Sequence, residues 1–197
     1  MTSEVLSLVT NTIDNEMETL EKVRNSVDDR YHDVIDAILA CRGKVIFMGV
    51  GKSGLIGRKL AATFSSTGTP AFFVHATESV HGDLGMIEDR DIVILISNSG
   101  ETREVLAPLP SLQVIGAKTI AFTGNLTSSL AEKTDLSLLI PIDKEADALD
   151  LAPTASSTAV LVVGDAIACT ISELKKFSKE DFAIFHPGGS LGKKLTQ

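Results

Sequence analysis

Positive charge is in short supply in this chain. Its 18 Lys and Arg face 26 Asp and Glu, for a formal charge of −8 and a pI near 5.0. A general nucleic-acid binder needs a basic face to displace counterions, so that class is excluded. An anionic small ligand is not, because local dipoles in a cleft outweigh net charge there. Cysteine is scarce as well: Cys41 and Cys169 lie far apart, form no CxxC, and each sits in an apolar stretch. They read as buried reduced thiols of a cytosolic protein. Residues 1–12 hold one acid, no base and no long apolar run, so no targeting segment is read there. The longest apolar runs are strand-sized, and neither a membrane span nor a membrane partner is expected. Against these shortages, 44% of the 197 residues are apolar and 22% charged. That profile supplies one sizeable core, and the expectation is a single domain over residues 1–197 of a soluble, cytoplasmic protein.

Residues 1–42 read as two helices. Val5, Leu8, Val9, Ile13, Met17, Leu20 and Val23 recur at three- and four-residue steps in the first, and Tyr31, Val34, Ile35, Ile38 and Leu39 in the second. From residue 43 the pattern changes to short continuous apolar runs at 44–48, 71–74, 91–96, 118–122 and 136–140, the signature of strands buried on both faces. Helix-length segments at 53–66, 102–115 and 128–133 separate them, and 77–90 reads as a polar loop with one helical turn. Strand, helix, strand at this spacing requires parallel pairing with crossovers. A long Ala-, Ser-, Thr- and Val-rich helix is predicted at 153–176, buried, with another subunit as one candidate cover. Short helices at 179–185 and 190–195 flank His186-Pro-Gly-Gly189, and Lys193 and Lys194 suit a helix C-terminus. The predicted fold class is α/β: a three-layer, doubly wound sandwich with a five-stranded parallel sheet flanked by helices, Rossmann- or flavodoxin-like.

In such folds ligands bind beyond the carboxyl ends of the strands. Gly49-Val-Gly-Lys-Ser-Gly54 matches GxGxxG between a strand and a helix. The acid that a dinucleotide site wants at the end of the second strand is missing, since Val74-His75-Ala76 stands there. A Walker A loop ending at Ser53 needs Gly at position 46, which is Ile46. The stronger signal is Ser97-Asn-Ser-Gly-Glu-Thr102, three hydroxyls, an amide and a glycine where a helix begins. One hydroxyl suffices for an N-cap, so three favour an anion.

GVGKSG, SNSGET, FFVHATESVHGDLGM, the Lys144-Glu145 pair before LAPT, and DFAIFHPGGSLGKKL together resemble the sugar isomerase (SIS) domain of D-arabinose 5-phosphate isomerases, from about residue 40 onward. The resemblance implies interconversion of arabinose 5-phosphate and ribulose 5-phosphate, supplying the eight-carbon acid sugar Kdo of lipopolysaccharide. Many members carry two CBS regulatory modules after this domain; the chain resembles the catalytic part alone, without them. Ala146-Asp147-Ala148 replaces the usual Ala-Cys-Pro, and Asp150 the usual Gly. By resemblance, Ser53, Ser97, Ser99 and Thr102 hold the phosphate with Asn98 beside them, and Gly51, Gly68, Thr69 and His81 join the substrate site. Lys52, Glu104, Glu145 and His186 are implied to carry turnover. No cofactor is implied, and His75 is implied to take up zinc as an inhibitor. A homotetramer is expected, with sites at subunit interfaces and His81 or His186 entering a neighbour's site.

Aldose–ketose isomerisation through an enediol needs a base, a proton relay and a grip on the phosphate. Glu104 lies two residues beyond Thr102, with Glu101 as the competing carboxylate, and Glu145 follows the fifth strand. A histidine can pass protons both ways near neutral pH, so His186 suits ring opening and proton shuttling. Lys52 suits an enediolate or phosphate. His75 and His81 flank Glu78 at a spacing that is not a strong metal pattern. Two alternatives stay open: a non-catalytic sugar-phosphate sensor, and an isomerase of another phosphosugar.

Overall fold

The computed structural model describes residues 2–188. The five apolar runs become β1 (Val45–Gly49), β2 (Ala71–His75), β3 (Ile92–Ile96), β4 (Lys118–Thr123) and β5 (Leu136–Leu139). All pairings are parallel, in the order β2-β1-β3-β4-β5. Strands β1 and β3 are buried at every residue, which is why their sequences run apolar without alternation. The strand order reverses between β1 and β3, so their carboxyl ends open the crevice in which α/β folds place ligands.

Helices α1 (Thr2–Asn25), α2 (Asp29–Ala40), α3 (Gly51–Ser66) and α8 (Ala155–Leu174) cover one face of the sheet. Beneath them Phe47, Ile94, Ile96, Phe122 and Leu138 meet Val34, Ile38, Leu60, Phe64, Val163 and Ile167 in one core. The other face carries α4 (Ala76–Ser79), α5 (Arg103–Leu106), α6 (Leu109–Ile115) and α7 (Ser129–Lys133), with Val105, Leu109, Leu112 and Leu130 on Ile46, Met48, Val93 and Leu95. The α8 helix is long and apolar enough by composition to cross a bilayer. Its Ala159, Val163, Ile167 and Ile171 are instead buried in the core. It runs alongside α3 at close range, and a Cβ on Gly164 would lie 2.4 Å from Leu60. After α8, α9 (Lys179–Phe185) is closed by a capping box between Ser178 and Asp181.

Three expectations are corrected, and the exposure of the predicted first helix is a further finding. The helix predicted at 102–115 is two, because Pro108 and Pro110 lack N–H groups and the ring at Pro110 would clash with the carbonyl a turn before it. Residues 77–90 hold the end of α4 and a 3-10 turn at Asp83–Met86 rather than one helical turn. The two thiols are free, but Cys169 is exposed and Cys41 only half-buried, since Cys169 lies on the outer side of α8. In α1 only Val23 among the apolar residues is buried, and Val5, Leu8, Val9, Ile13 and Met17 are each more than half exposed. The helix predicted at 190–195, with Lys193 and Lys194, lies outside the described residues.

Candidate active site

The turn from β1 into α3 is built on close backbone approach. A Cβ on Gly49 would sit 3.2 Å from the Gly54 nitrogen, so both glycines let strand and helix touch. Gly51, at φ +55, opens α3. The N-cap residue Val50 supplies no capping side chain. The N–H groups of the first turn, at Gly51, Lys52 and Ser53, are therefore presented toward the crevice without a side-chain acceptor from the cap.

The loop after β3 is ordered by its own hydroxyls. Ser97 is buried, and its Oγ lies 2.9 Å from Thr102 Oγ1 and accepts the Gly100 N–H at 3.1 Å. Ser99 Oγ accepts the Glu101 N–H at 3.2 Å. Gly100, at φ +69, packs so tightly that a Cβ there would stand 2.0 Å from Ser128 Oγ. Asn98 is exposed, and its carbonyl accepts Gly124 N–H at 2.9 Å. This arrangement separates the two carboxylates of the loop. Glu101 accepts the Ser129 N–H at 2.7 Å, capping α7, and that bond holds its carboxyl below the usual range. Glu104 is exposed at the second residue of α5 and makes no hydrogen bond to another described residue, which leaves its carboxylate uncommitted.

Glu145 enters from the loop after β5. Its Oε2 accepts the N–H groups of Thr154 at 2.8 Å and Ser156 at 3.0 Å, and the Ser156 hydroxyl donates to its Oε1. A loop acid by sequence, it is the carboxylate that satisfies the first turn of α8. Ser156 also lines a cleft with Lys52, Ser53, Asn98, Pro153 and Ser157, so α3, the β3 loop and the start of α8 meet at one point. The cleft encloses about 20 Å³, room for a water molecule and not for a sugar-sized ligand.

Not every predicted residue joins the cluster. Gly68 and Thr69 precede β2 and so lie at the amino edge of the sheet, opposite the crevice. Their surroundings are filled: a Cβ on Gly68 would meet Phe177 at 2.5 Å, and Lys175 Nζ donates to Thr69 Oγ1 at 3.0 Å. Burial pushes the Lys175 ammonium below its ordinary pKa. Within one chain the two residues are packing elements, because the α3–β2 connection crosses to the far edge. His186 belongs to the same side. Phe185, next to it, stacks on Phe177 at 5.9 Å, and the imidazole stacks on Phe182 at 3.8 Å. Its Nδ1 lies 2.8 Å from the Phe182 carbonyl, which can only accept, so Nδ1 carries the proton and Nε2 of the neutral ring is left as the acceptor.

His81 is exposed in the loop after α4, at the carboxyl edge. His75 ends β2 with its ring edge-on to Phe73 at 6.3 Å, and its buried Nδ1 has no partner among the described residues. Zinc takes about four ligands, and no group of three His, Cys, Asp or Glu suited to a metal occurs among the described residues. His75 alone does not make a zinc site within one chain. The residues that sequence reasoning missed are Ser156 and Ser157, whose only signal was the hydroxyl content at the start of the long helix.

The SIS domain model matches residues 38–169, from the end of α2 to late α8. The chain is 48% identical to the arabinose 5-phosphate isomerase KdsD of Francisella tularensis, over 99% of its own length and 60% of the relative's. It is 49% identical to the arabinose 5-phosphate isomerase KdsD of Escherichia coli K12, over 91% of this chain and 55% of that one. The chain thus spans less than two thirds of the length of these curated relatives. Among solved structures, the E. coli CFT073 protein c3406 in complex with arabinose 5-phosphate superposes with a TM-score of 0.93 at 55% identity, covering 95% of this chain and all of the other. With the crevice at the β1/β3 switch, the hydroxyl loop and these likenesses pointing the same way, the chain belongs to the SIS domain family.

Proposed function

We propose that this chain is an aldose–ketose isomerase that interconverts D-arabinose 5-phosphate and D-ribulose 5-phosphate through an enediol, supplying Kdo synthesis in the cytoplasm. One observation carries the reading: Asn98 of the hydroxyl loop, the uncapped start of α3 and the start of α8, where Ser156 donates to the Glu145 carboxylate, meet in one crevice. The relatives called arabinose 5-phosphate isomerase and the structural neighbour solved with arabinose 5-phosphate support the substrate.

In this reading Ser53, Ser97, Ser99 and Thr102, with the α3 N–H groups, grip the phosphate. Glu104 is the base that moves the proton between C1 and C2, because its carboxylate is free to reorient while Glu101 is spent on α7. Glu145, fixed on α8, serves turnover as the second carboxylate, stabilising the transition state at the sugar oxygens, and Lys52 offsets charge on the enediolate. His186 opens the ring and relays protons through Nε2. Because His186 stands at the amino edge of its own sheet, opposite the crevice, it serves a neighbour's site in a homotetramer whose sites are completed between subunits. Zinc inhibition through His75 then requires further ligands from a neighbour or the substrate.

The test is proton NMR of arabinose 5-phosphate with the chelator-treated protein in deuterated water. Conversion to ribulose 5-phosphate with solvent deuterium entering at C1 or C2 supports the isomerase. Neither conversion nor exchange, while the sugar phosphate still raises the melting temperature, makes the chain a sensor or an isomerase of another phosphosugar.

A further inference from the structure

The loop between β5 and α8 folds onto carboxylates of its own. Asp147 accepts three backbone N–H groups, from Leu149 at 3.0 Å and from Leu151 and Ala152 at 2.9 Å each. The bonds from Ala152 and Leu151 hold its carboxyl below the usual range, so it is an ionised acceptor at neutral pH. Asp150 accepts the Glu145 N–H at 2.6 Å while sitting at φ +55, a conformation that Asp tolerates better than most residues. The Ala146 N–H donates to Thr154 Oγ1 at 2.8 Å. Glu145 is thus fixed twice, its backbone by Asp150 and its carboxylate by the first turn of α8. Burial does not hold this loop, since Leu149 and Leu151 are each 75% exposed.

We propose that Asp147 and Asp150 are positioning residues for Glu145: they close the 145–154 loop so that its carboxylate seats on the first turn of α8, whose Ser156 lines the cleft with Lys52 and Asn98. The proposal rests on the reading of Glu145 as a turnover residue. Neither aspartate contacts the phosphate loop, which belongs to the β3–α5 connection. Their loss therefore acts on kcat and not on KM.

Steady-state kinetics on arabinose 5-phosphate and amide hydrogen exchange at Thr154 and Ser156, the donors to Glu145, are measured on Asp147→Ala, Asp150→Gly and Asp150→Asn. Gly takes φ +55 without strain, so Asp150→Gly removes the acceptor without forcing the backbone, and comparison with Asp150→Asn separates the lost bond from the added freedom of Gly. Asn keeps an acceptor oxygen and tolerates the same backbone. Expected are a fall in kcat of roughly tenfold for Asp147→Ala and Asp150→Gly, KM within about twofold, faster exchange at both amides, and recovery in Asp150→Asn. An unchanged kcat, a KM that rises in step with the loss, or unmoved exchange overturns the proposal. Should Asp147→Ala fail to fold, Asp150→Gly and Asp150→Asn decide it. An inactive wild-type chain overturns the functional reading instead, and the exchange rates still decide this one.

Discussion

Ser97 does two things with one oxygen. It closes the loop through the Gly100 N–H and faces Thr102 as a candidate phosphate donor. Ser97→Ala and Thr102→Ala are each expected to weaken sugar-phosphate binding by about 1–3 kcal/mol, read by titration calorimetry. Glu104→Gln is expected to bind normally and lose roughly 100-fold in turnover, because a proton acceptor is removed and no phosphate contact is. Gly100→Ala forces both a left-handed φ and a collision with Ser128, and is expected to cost more than about 2 kcal/mol in denaturant unfolding. The hydroxyl trio was legible in the sequence because it is contiguous. The division of labour between Glu101 and Glu104 was not, since the donor that claims Glu101 is Ser129, 28 positions away. Glu145 shows the same limit: nothing local to Lys144-Glu145 says that α8 would take its carboxylate.

Helix starts and loop closures are where this protein keeps its strained titrations. Asp28 at α2 is held low by the Arg30 side chain, Asp181 at α9 by the Ser178 N–H, and Glu101 at α7 by the Ser129 N–H. Asp147, ahead of α8, is held low by its loop amides. A carboxylate whose folded pKa lies below its unfolded one stabilises the fold fully above the unfolded value and loses that contribution as pH falls through the folded one. Denaturant midpoints are therefore expected to be insensitive to these four groups from neutral pH to about 5 and to fall below about 4. A midpoint that rises on acidification would contradict this. At this scale the strands were the most legible elements, β1 and β3 above all, since both are buried at every residue and run apolar throughout, whereas β2 and β5 are mostly half-buried and β4 begins on the exposed Lys118. The single helix expected after SNSGET ignored Pro108 and Pro110, whose missing N–H groups were a sufficient signal for the break. The resemblance names Gly68 and Thr69 but not the edge they occupy, which follows from the direction in which α3 runs.

At the scale of the molecule, α1 carries an apolar stripe that nothing among the described residues covers. On the proposed assembly this stripe is a subunit contact. Ile13→Glu and Met17→Glu are expected to lower the mass seen by light scattering while leaving helix content unchanged. The two edges of the sheet carry a further consequence. The hydroxyl loop and Glu104 lie at the carboxyl edge, and His186 is held by aromatic stacking with the elements of the amino edge. If each site takes its carboxylate from one chain and its histidine from the neighbour, two chains that each carry one of the two lesions still form one intact site between them. Glu104→Gln and His186→Ala chains, each inactive alone, are expected on mixing to regain about a quarter of wild-type turnover per site by random assortment in a symmetric assembly. The unit of catalysis would then be the contact between chains, and heredity could repair it by mixing two broken copies.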